Sequence, residues 1–286
     1  MAEDKGTIKA GWYVALVIDV LGQHEAILNA PPFPKTEGEK ANYLTALKDS
    51  AGKVIEVRRL VQVFFESYLR ASHSDVADKL DSEQRAQFAI FRECRISTQM
   101  FSDTVIAFAP ISTTVGRVTT KAVEAMMMAA ISTLVHCLAE EIVVRGAIDV
   151  DEAIELGDHD LYGRVVVNVH RMEESVAQWP RIVVGKGMLD FLDEMSHRTC
   201  RDFVDRMNCE KAKACLGIIT PDVDAVPIID YLSVGLAQGF GAPLAEDVLQ
   251  QCRGFINREH ARFSRAGDHK LALRYGLLRQ YYDKST

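Results

Sequence analysis

Two aspartates, one at the end of an apolar run and one at a predicted hairpin, are candidates for metal chemistry. Asp19 follows an apolar stretch, in VALVIDVLG, and Asp103 lies in MFSD, between segments 92–99 and 103–109. The β-branched and aromatic content of these two segments predicts a hairpin with Asp103 at or near its turn. If the strand that carries Asp19 lies beside this hairpin, the two carboxylates converge. Paired carboxylates bind hard cations such as Mg²⁺ or Mn²⁺, especially when a triphosphate completes the coordination.

A structural interpretation of the same residues stays open at this point. A carboxylate in an apolar run is costly to bury, but Asp19 can simply terminate its strand. Asp103 can simply occupy a turn, where aspartate is common. The rest of the sequence is needed to choose between these two interpretations.

The first third of the chain predicts one strand followed by helix. Residues 12–21 (WYVALVIDVL) are rich in β-branched and aromatic residues, and Gly22 follows them. This pattern predicts a buried strand that ends near an acidic residue. Residues 29–38 form a Pro-rich loop, and 39–70 carry apolar residues at helical spacing, as one long helix or a pair interrupted near Gly52. The charged stretch 73–86 is expected to be a surface connection.

The middle of the chain alternates helices and strands after the hairpin. The predicted elements are a helix at 117–140, strands at 142–150 and 153–156, an acidic loop at 157–160, a helix at 162–178 and a strand at 181–184. The order β-α-β-β-α-β-β-α-β places helices against a mostly antiparallel sheet of the ferredoxin-like, split βαβ type. The expected class is therefore α+β.

The last hundred residues give a weaker pattern. It predicts a helix at 187–196, strands at 215–220 and 226–233, and helices at 243–264 and 270–283. No strong linker divides the chain. We therefore expect one domain, with a core over 1–185 and an α/β elaboration over 186–286.

Composition and charge exclude several classes of protein. The 286 residues include 33 Lys and Arg against 40 Asp and Glu, a formal net charge of −7. A general nucleic-acid binder needs a basic face, so this acidic balance argues against nucleic-acid binding. The six cysteines form no CxxC pair, the N-terminal segment lacks the apolar core of a signal peptide, and no uninterrupted apolar run reaches about 18 residues. We expect a cytoplasmic, reduced protein that does not span a membrane.

One segment adds a family resemblance. Residues 160–173, DLYGRVVVNVHRME, resemble the signature of class III nucleotidyl cyclases, with Asp160, Gly163 and Arg171 at the family spacing. Asp19 in IDVLG and Asp103 in MFSDTVIAF resemble the two metal-binding aspartates of that family. The three motifs occur in the family's order and extend over roughly residues 12–185.

The departures from the family pattern point to a subgroup. Val167 stands where the family has its catalytic asparagine, with Asn168 adjacent, and Ser102 replaces the usual hairpin glycine. Gln99 stands where purine cyclases have a base-reading lysine, which exchanges a pure donor for a group that donates and accepts. The stand-alone bacterial pyrimidine cyclases of Pycsar antiphage defence are similar to this chain in the segments IDVLG, FSDT, VVRGAI, YG and WPRIVVG.

The resemblance implies a reaction and a metal site. UTP or CTP, with UTP favoured, would be converted to the 3′,5′-cyclic monophosphate and pyrophosphate. Two divalent ions, Mn²⁺ or Mg²⁺, would be held by Asp19, Asp103 and the backbone carbonyl near Val20. Arg171 would stabilise charge on the α-phosphate, because a guanidinium matches phosphate oxygens. Asn168 is the second catalytic candidate.

The resemblance also implies a substrate pocket. Gly22 would allow the backbone to approach the triphosphate closely. Gln99 and Asp160 occupy base-reading positions, and Arg95 is a nearby polar candidate. Tyr43 or Phe33 would stack on the base, although core packing is the alternative for each.

Three functions therefore stay open. The first is a pyrimidine cyclase that acts as a homodimer with sites shared across the interface and signals to a separate effector protein. The second is a catalytically silent cyclase-like module that binds a nucleotide, which the Val167 departure favours. The third is a purine cyclase that makes cyclic AMP or cyclic GMP, which Gln99 disfavours.

Overall fold

The fold was obtained as a computed structural model. It describes residues 8–22, 34–77, 80–157, 160–232 and 242–284. The stacking candidate Phe33 and the first half of the Pro-rich loop, residues 29–33, lie outside these ranges. The other residues singled out from the sequence lie within them.

The described chain alternates strands and helices. The strands are β1 (Ile8–Val20), β2 (Ser97–Phe101), β3 (Thr104–Pro110), β4 (Val144–Leu156), β5 (Asp160–Gly163), β6 (Ile182–Val184), β7 (Ile219–Pro221) and β8 (Pro227–Ile229). The helices are α1 (Glu37–Ala77), α2 (Ser82–Phe91), α3 (Lys121–Ala139), α4 (Arg164–Ser175), α5 (Lys186–His197), α6 (Phe203–Leu216), α7 (Ala242–Ala266) and α8 (His269–Lys284).

All these strands join one mixed sheet. Their order is β2-β3-β1-β4-β6-β8-β7, and β5 pairs with β4 beside this path. The pairing of β4 with β6 is parallel and the other pairings are antiparallel. The α+β class expected from the sequence is confirmed.

Strand β1 is buried on both of its faces, which explains its nearly continuous apolar sequence. Val14, Leu16 and Ile18 belong to the larger core, which α1 and α3 also build. The alternate residues, including Val17, pack with Val169 of α4 on the other face. Successive side chains of a strand point to opposite faces. Asp19 therefore lies on the same sheet face as α4.

Helix α3 is the most deeply buried helix of the larger core. Met126, Met127 and Leu134 have no exposed surface. By length and composition alone it is the one described helix apolar enough to cross a membrane, but most of it is buried inside the protein. Its apolar composition is accounted for by packing between α1, α7 and the sheet.

The region before the hairpin differs from the prediction. Helix α1 runs through Gly52 without interruption and extends to Ala77, and α2 occupies part of the predicted surface connection. The missed signal is a capping box, in which Asp81 accepts a hydrogen bond from the Gln84 N–H and the Gln84 side chain bonds back. The predicted strand at 92–99 was wrong in its first half, because β2 begins only at Ser97.

Two other predictions were wrong in detail. The strands predicted at 142–150 and 153–156 are one continuous strand, β4. The strand predicted at 215–220 is largely the end of α6 and the turn that follows it, and β7 begins at Ile219. Helix α6 was missed although Asp202, which accepts a hydrogen bond from the Asp205 N–H, marks its start.

The segment after residue 186 extends the same sheet. Strands β7 and β8 form a hairpin that pairs with β6. Arg181, whose side chain is 2% exposed, donates hydrogen bonds to Asp222 and Asp224 at 2.8 Å. Its guanidinium also stacks on the Trp179 ring. This buried arginine, directly before β6, therefore holds the β7–β8 hairpin against β6.

Gly163 joins β5 to α4, and it is expected to tolerate no side chain. Its φ is 149°, and an added Cβ would lie 2.7 Å from Ala153 Cα. Gly163→Ala should therefore destabilise the protein by about 1–3 kcal/mol. Gly52→Ala is the matched control, because Gly52 lies in α1 with open space around it. That change should be neutral or stabilising by about 0.5–1 kcal/mol. Chemical unfolding of both variants tests the contrast, and equal effects would contradict it.

Candidate active site

The structure brings Asp19 and Asp103 together. Asp103 lies in the β2–β3 turn. The preceding residue, Ser102, has a φ of 57°, in the left-handed region. The Val20 N–H donates to the Asp103 carbonyl oxygen at 3.1 Å. Asp19 is in register with Thr104, whose hydroxyl lies 3.4 Å from Asp19 Oδ1. Burial raises the pKa of Asp19, and the Asp103 charge raises it further.

An arginine and a glutamate complete this cluster, and sequence analysis missed both. Arg145 of β4 lies opposite Asp19 in the sheet register. Its Nε is 3.3 Å from Asp19 Oδ2 and 2.7 Å from Glu173 Oε1 of α4. Burial raises the pKa of Glu173 to about 7; Arg145 opposes this shift, and the Asp19 charge adds to it. The available signal was an arginine inside the apolar run VVRGAI, which requires a partner carboxylate.

The donor chemistry of the two aspartates fits a hard divalent cation. Carboxylate oxygens are the ligands that Mg²⁺ and Mn²⁺ prefer. Among the described residues, no group of three or more His, Cys, Asp or Glu side chains is arranged to hold a metal ion. Asp19 and Asp103 would therefore supply part of a coordination shell, and phosphate oxygens of a bound substrate would supply the rest. Val20 follows Asp19 directly, and its implied role as a carbonyl ligand stays a prediction.

A second polar group forms where β2 meets the β4–β5 hairpin. Gln99 Nε2 donates to Asp160 Oδ1 at 2.8 Å. Because an ionised carboxylate only accepts, this contact fixes the orientation of the Gln99 amide. Arg95 donates to both oxygens of Glu155 at 2.7 and 2.8 Å, and the Glu155 side chain is 2% exposed. The predicted pocket residues Gln99 and Asp160 thus meet through their side chains, although β2 and β5 are not paired in the sheet. Glu155 was missed.

Asn168 and Arg171 lie on a different face of α4 from Glu173. Together with Arg164 they line a cavity of about 900 Å³ between α4, α5 and β4. Asn168 Nδ2 donates to Asp151 Oδ2 at 3.1 Å. Neither Asp19 nor Asp103 is among the described residues that line this cavity. Within one chain, the structure therefore does not bring the two predicted catalytic residues to the paired aspartates.

The remaining pocket candidates are placed as follows. Gly22 follows β1 with a φ of 82°, a backbone conformation that favours glycine. An added Cβ would meet no atom of the described residues within 4 Å. Tyr43 is half-buried near the start of α1. Its proposed stacking on a base stays a prediction.

Comparison with known proteins gives limited information. No protein-family model matches the chain, and no curated protein matches it. Its structure is similar to one described as a bacterial light-regulated adenylyl cyclase, with a TM-score of 0.38 and 11% sequence identity. The similarity covers 87% of this chain and 58% of the other, so this chain spans less than two thirds of that protein. A likeness of this degree supports no conclusion about activity.

Replacement of Glu173 should change how stability depends on pH. Its pKa is raised from an ordinary value of 4.5 to about 7, so the folded state keeps a proton that the unfolded chain has lost. The free energy of unfolding therefore falls as the pH rises from about 4.5 to about 7, and this loss of stability is complete above about pH 7. Glu173→Gln mimics the protonated form, so its stability relative to the natural protein should increase across the same window.

Urea unfolding at several pH values measures this difference. Glu174→Gln is the matched control, because Glu174 is exposed on the same helix. Because the Glu174 charge contributes to the raised pKa of Glu173, this control should weaken the pH dependence only in part, and Glu173→Gln should change it more. A stability difference for Glu173→Gln that does not change with pH would contradict the assigned titration.

Proposed function

We propose that the protein is a metal-dependent class III nucleotidyl cyclase that acts on a pyrimidine nucleoside triphosphate. It would convert UTP, or alternatively CTP, to the 3′,5′-cyclic monophosphate and pyrophosphate. The observation that carries the proposal is the meeting of Asp19 and Asp103 at the end of β1 and the tip of the β2–β3 hairpin. The strand order β4-β1-β3-β2 is also that of a ferredoxin-like βαββαβ core, as the resemblance implies.

The chain's residues would act mainly by binding and positioning. Two divalent ions, Mn²⁺ or Mg²⁺, would lower the pKa of the ribose 3′-hydroxyl and neutralise phosphate charge. Asp19, Asp103 and the Val20 carbonyl would hold them. The turn at Gly22 would lie against the triphosphate. In-line geometry between the 3′-oxygen and the α-phosphorus then provides most of the rate gain.

The Gln99–Asp160 pair supports the pocket assignment. Both residues occupy base-reading positions by resemblance, and their side chains are hydrogen-bonded at 2.8 Å. With one amide hydrogen committed to Asp160, Gln99 keeps a second N–H and its carbonyl for the base edge. The Arg95–Glu155 pair would support the floor of this pocket. A lysine at position 99 would not offer the carbonyl, so purine preference is disfavoured.

The placement of Arg171 supports a homodimer with shared sites. It lies on α4 two residues before Glu173, and two residues on a helix are about 200° apart. Since Glu173 points to the chain's own Asp19 cluster, Arg171 points away from it. A second subunit would have to supply Arg171 and Asn168 to each pair of aspartates. The segment 186–286 would then stabilise or regulate this assembly.

The proposed biological role follows from the narrower resemblance. The cyclic nucleotide would act in the cytoplasm as the second messenger of an antiphage defence, read by a separate effector protein. No nucleic-acid or membrane partner is proposed. A silent nucleotide-binding module is the second candidate, because Val167 replaces the family asparagine and is 57% exposed rather than packed.

Product analysis tests the reaction. The purified protein is incubated separately with ATP, GTP, CTP and UTP in the presence of Mn²⁺ or Mg²⁺, and products are identified by mass. We expect cyclic UMP or cyclic CMP, lost at least about 100-fold in Asp103→Ala because a metal ligand is missing. Glu174→Gln serves as a surface control. A purine product would contradict the base preference, and no cyclic product would favour the silent module.

Subunit mixing tests the shared site. Arg171→Ala should lower kcat more than it raises KM, because its contact is needed in the transition state. When Asp19→Ala and Arg171→Ala subunits are mixed, one of the two sites in a mixed dimer has no substitution. Activity should then recover to about a quarter of normal, since random mixing makes half the dimers mixed, each with one intact site. No recovery, with subunit exchange verified by differential labelling, would place each site within one chain.

A further inference from the structure

Two carboxylates compete for one hydrogen of Arg145. Its Nε carries a single hydrogen, which is donated to Asp19 Oδ2 at 3.3 Å. Glu173 Oε1 lies closer, at 2.7 Å, yet this buried oxygen receives no hydrogen bond from any residue that the structure describes. The longer contact, to Asp19, has the geometry of a hydrogen bond, and the shorter one, to Glu173, does not. A small rotation of the guanidinium would exchange them.

The surroundings make this exchange consequential. The side chains of Arg145, Asp19 and Glu173 are 17%, 14% and 9% exposed, so water screens their charges only in part. The Arg145 Nη1 also lies 3.5 Å from the Ala177 carbonyl oxygen, which anchors the far end of the guanidinium. Arg274 of α8 adds a second positive charge near it. A buried carboxylate oxygen without a hydrogen bond is unfavourable, so Glu173 is poised to accept one.

We infer that Arg145 and Glu173 are positioning residues for cation binding at Asp19. Arg145 holds the Asp19 carboxylate when no divalent ion is bound and turns its Nε–H to Glu173 when one binds. The inference rests on the proposed metal site. In this inference, Glu173 accepts the hydrogen bond of Arg145 after the cation has displaced Arg145 from Asp19.

The physical reason is charge competition. A guanidinium against Asp19 neutralises the charge that a divalent cation needs and repels that cation. A nearby carboxylate lowers the free energy of the displaced guanidinium, because a buried charge must be paired. Removal of Arg145 should therefore tighten cation binding, and removal of the Glu173 charge should weaken it. The second effect should depend on the presence of Arg145.

A double-mutant cycle on Mn²⁺ affinity tests this inference. Mn²⁺ alone is titrated above pH 7, where the Glu173 carboxyl group is ionised, by calorimetry and by the electron paramagnetic resonance signal of the free ion. We expect Arg145→Met to bind Mn²⁺ at least about five-fold more tightly, and Glu173→Gln to bind it about five-fold more weakly. In the double variant, Glu173→Gln should have no further effect. Glu174→Gln controls for the loss of one negative charge on the same helix.

Several results would overturn the inference. Weaker Mn²⁺ binding in a folded Arg145→Met would show that Arg145 supports the cation rather than competing with it. An equal effect of Glu173→Gln with and without Arg145 would show that Glu173 acts only through its overall charge. If Arg145→Met does not fold, Arg145→Lys replaces it. The shorter lysine side chain keeps the charge but should lose most of the coupling to Glu173. Full coupling in Arg145→Lys would contradict the proposed exchange of the Arg145 hydrogen bond from Asp19 to Glu173.

The same titration separates this inference from the proposed function. If the natural protein and Asp103→Asn show the same Mn²⁺ affinity, the metal site itself is wrong, and the inference fails with it. If Asp103→Asn loses Mn²⁺ binding but the cycle shows no coupling between Arg145 and Glu173, only the inference fails.

Discussion

The candidate active site depends on the pairing of β1 with strands on both sides. Asp19 faces Thr104 of β3 across one pairing and Arg145 of β4 across the other. A slip of one residue in either register would turn Asp19 to the opposite sheet face and into the larger apolar core. The apolar residues before Asp19, buried on both faces, make such a slip unfavourable. The packing of β1 thus fixes where the carboxylate points.

Helix α4 distributes chemically different residues among its faces. Val165 and Val169 pack on the sheet, and Glu173 continues that face to the Arg145 cluster. Asn168 and Arg171 lie on another face and line the cavity with α5. The helical period of 3.6 residues is sufficient to produce this separation. One helix can therefore hold an ionic partner for its own subunit and present other polar groups elsewhere.

Much of this arrangement could be predicted from the sequence, and the failures have physical causes. The apolar run before Asp19 and the hairpin around Asp103 are local patterns, so their elements were recognisable. Helix α2 was missed because only a capping box marks its start, and its first four residues, 82–85, are all polar. Arg145, Glu173 and Glu155 were missed because each has its partner far away in sequence. Propensity and periodicity carry no information about such pairs.

The segment after β6 is connected to the cluster through a short stretch that follows α4. Arg145 reaches the Ala177 carbonyl oxygen at 3.5 Å, and Arg181 donates to the Val176 carbonyl oxygen at 2.7 Å. Two guanidiniums therefore hold adjacent peptide groups: Arg145 belongs to the Asp19 cluster, and Arg181, directly before β6, binds the β7–β8 hairpin. Arg181 is itself fixed by Asp222 and Asp224. A displacement of that hairpin would pull on the end of α4, where Glu173 lies. The C-terminal segment is thus mechanically linked to the carboxylates, although none of its residues belongs to the predicted site.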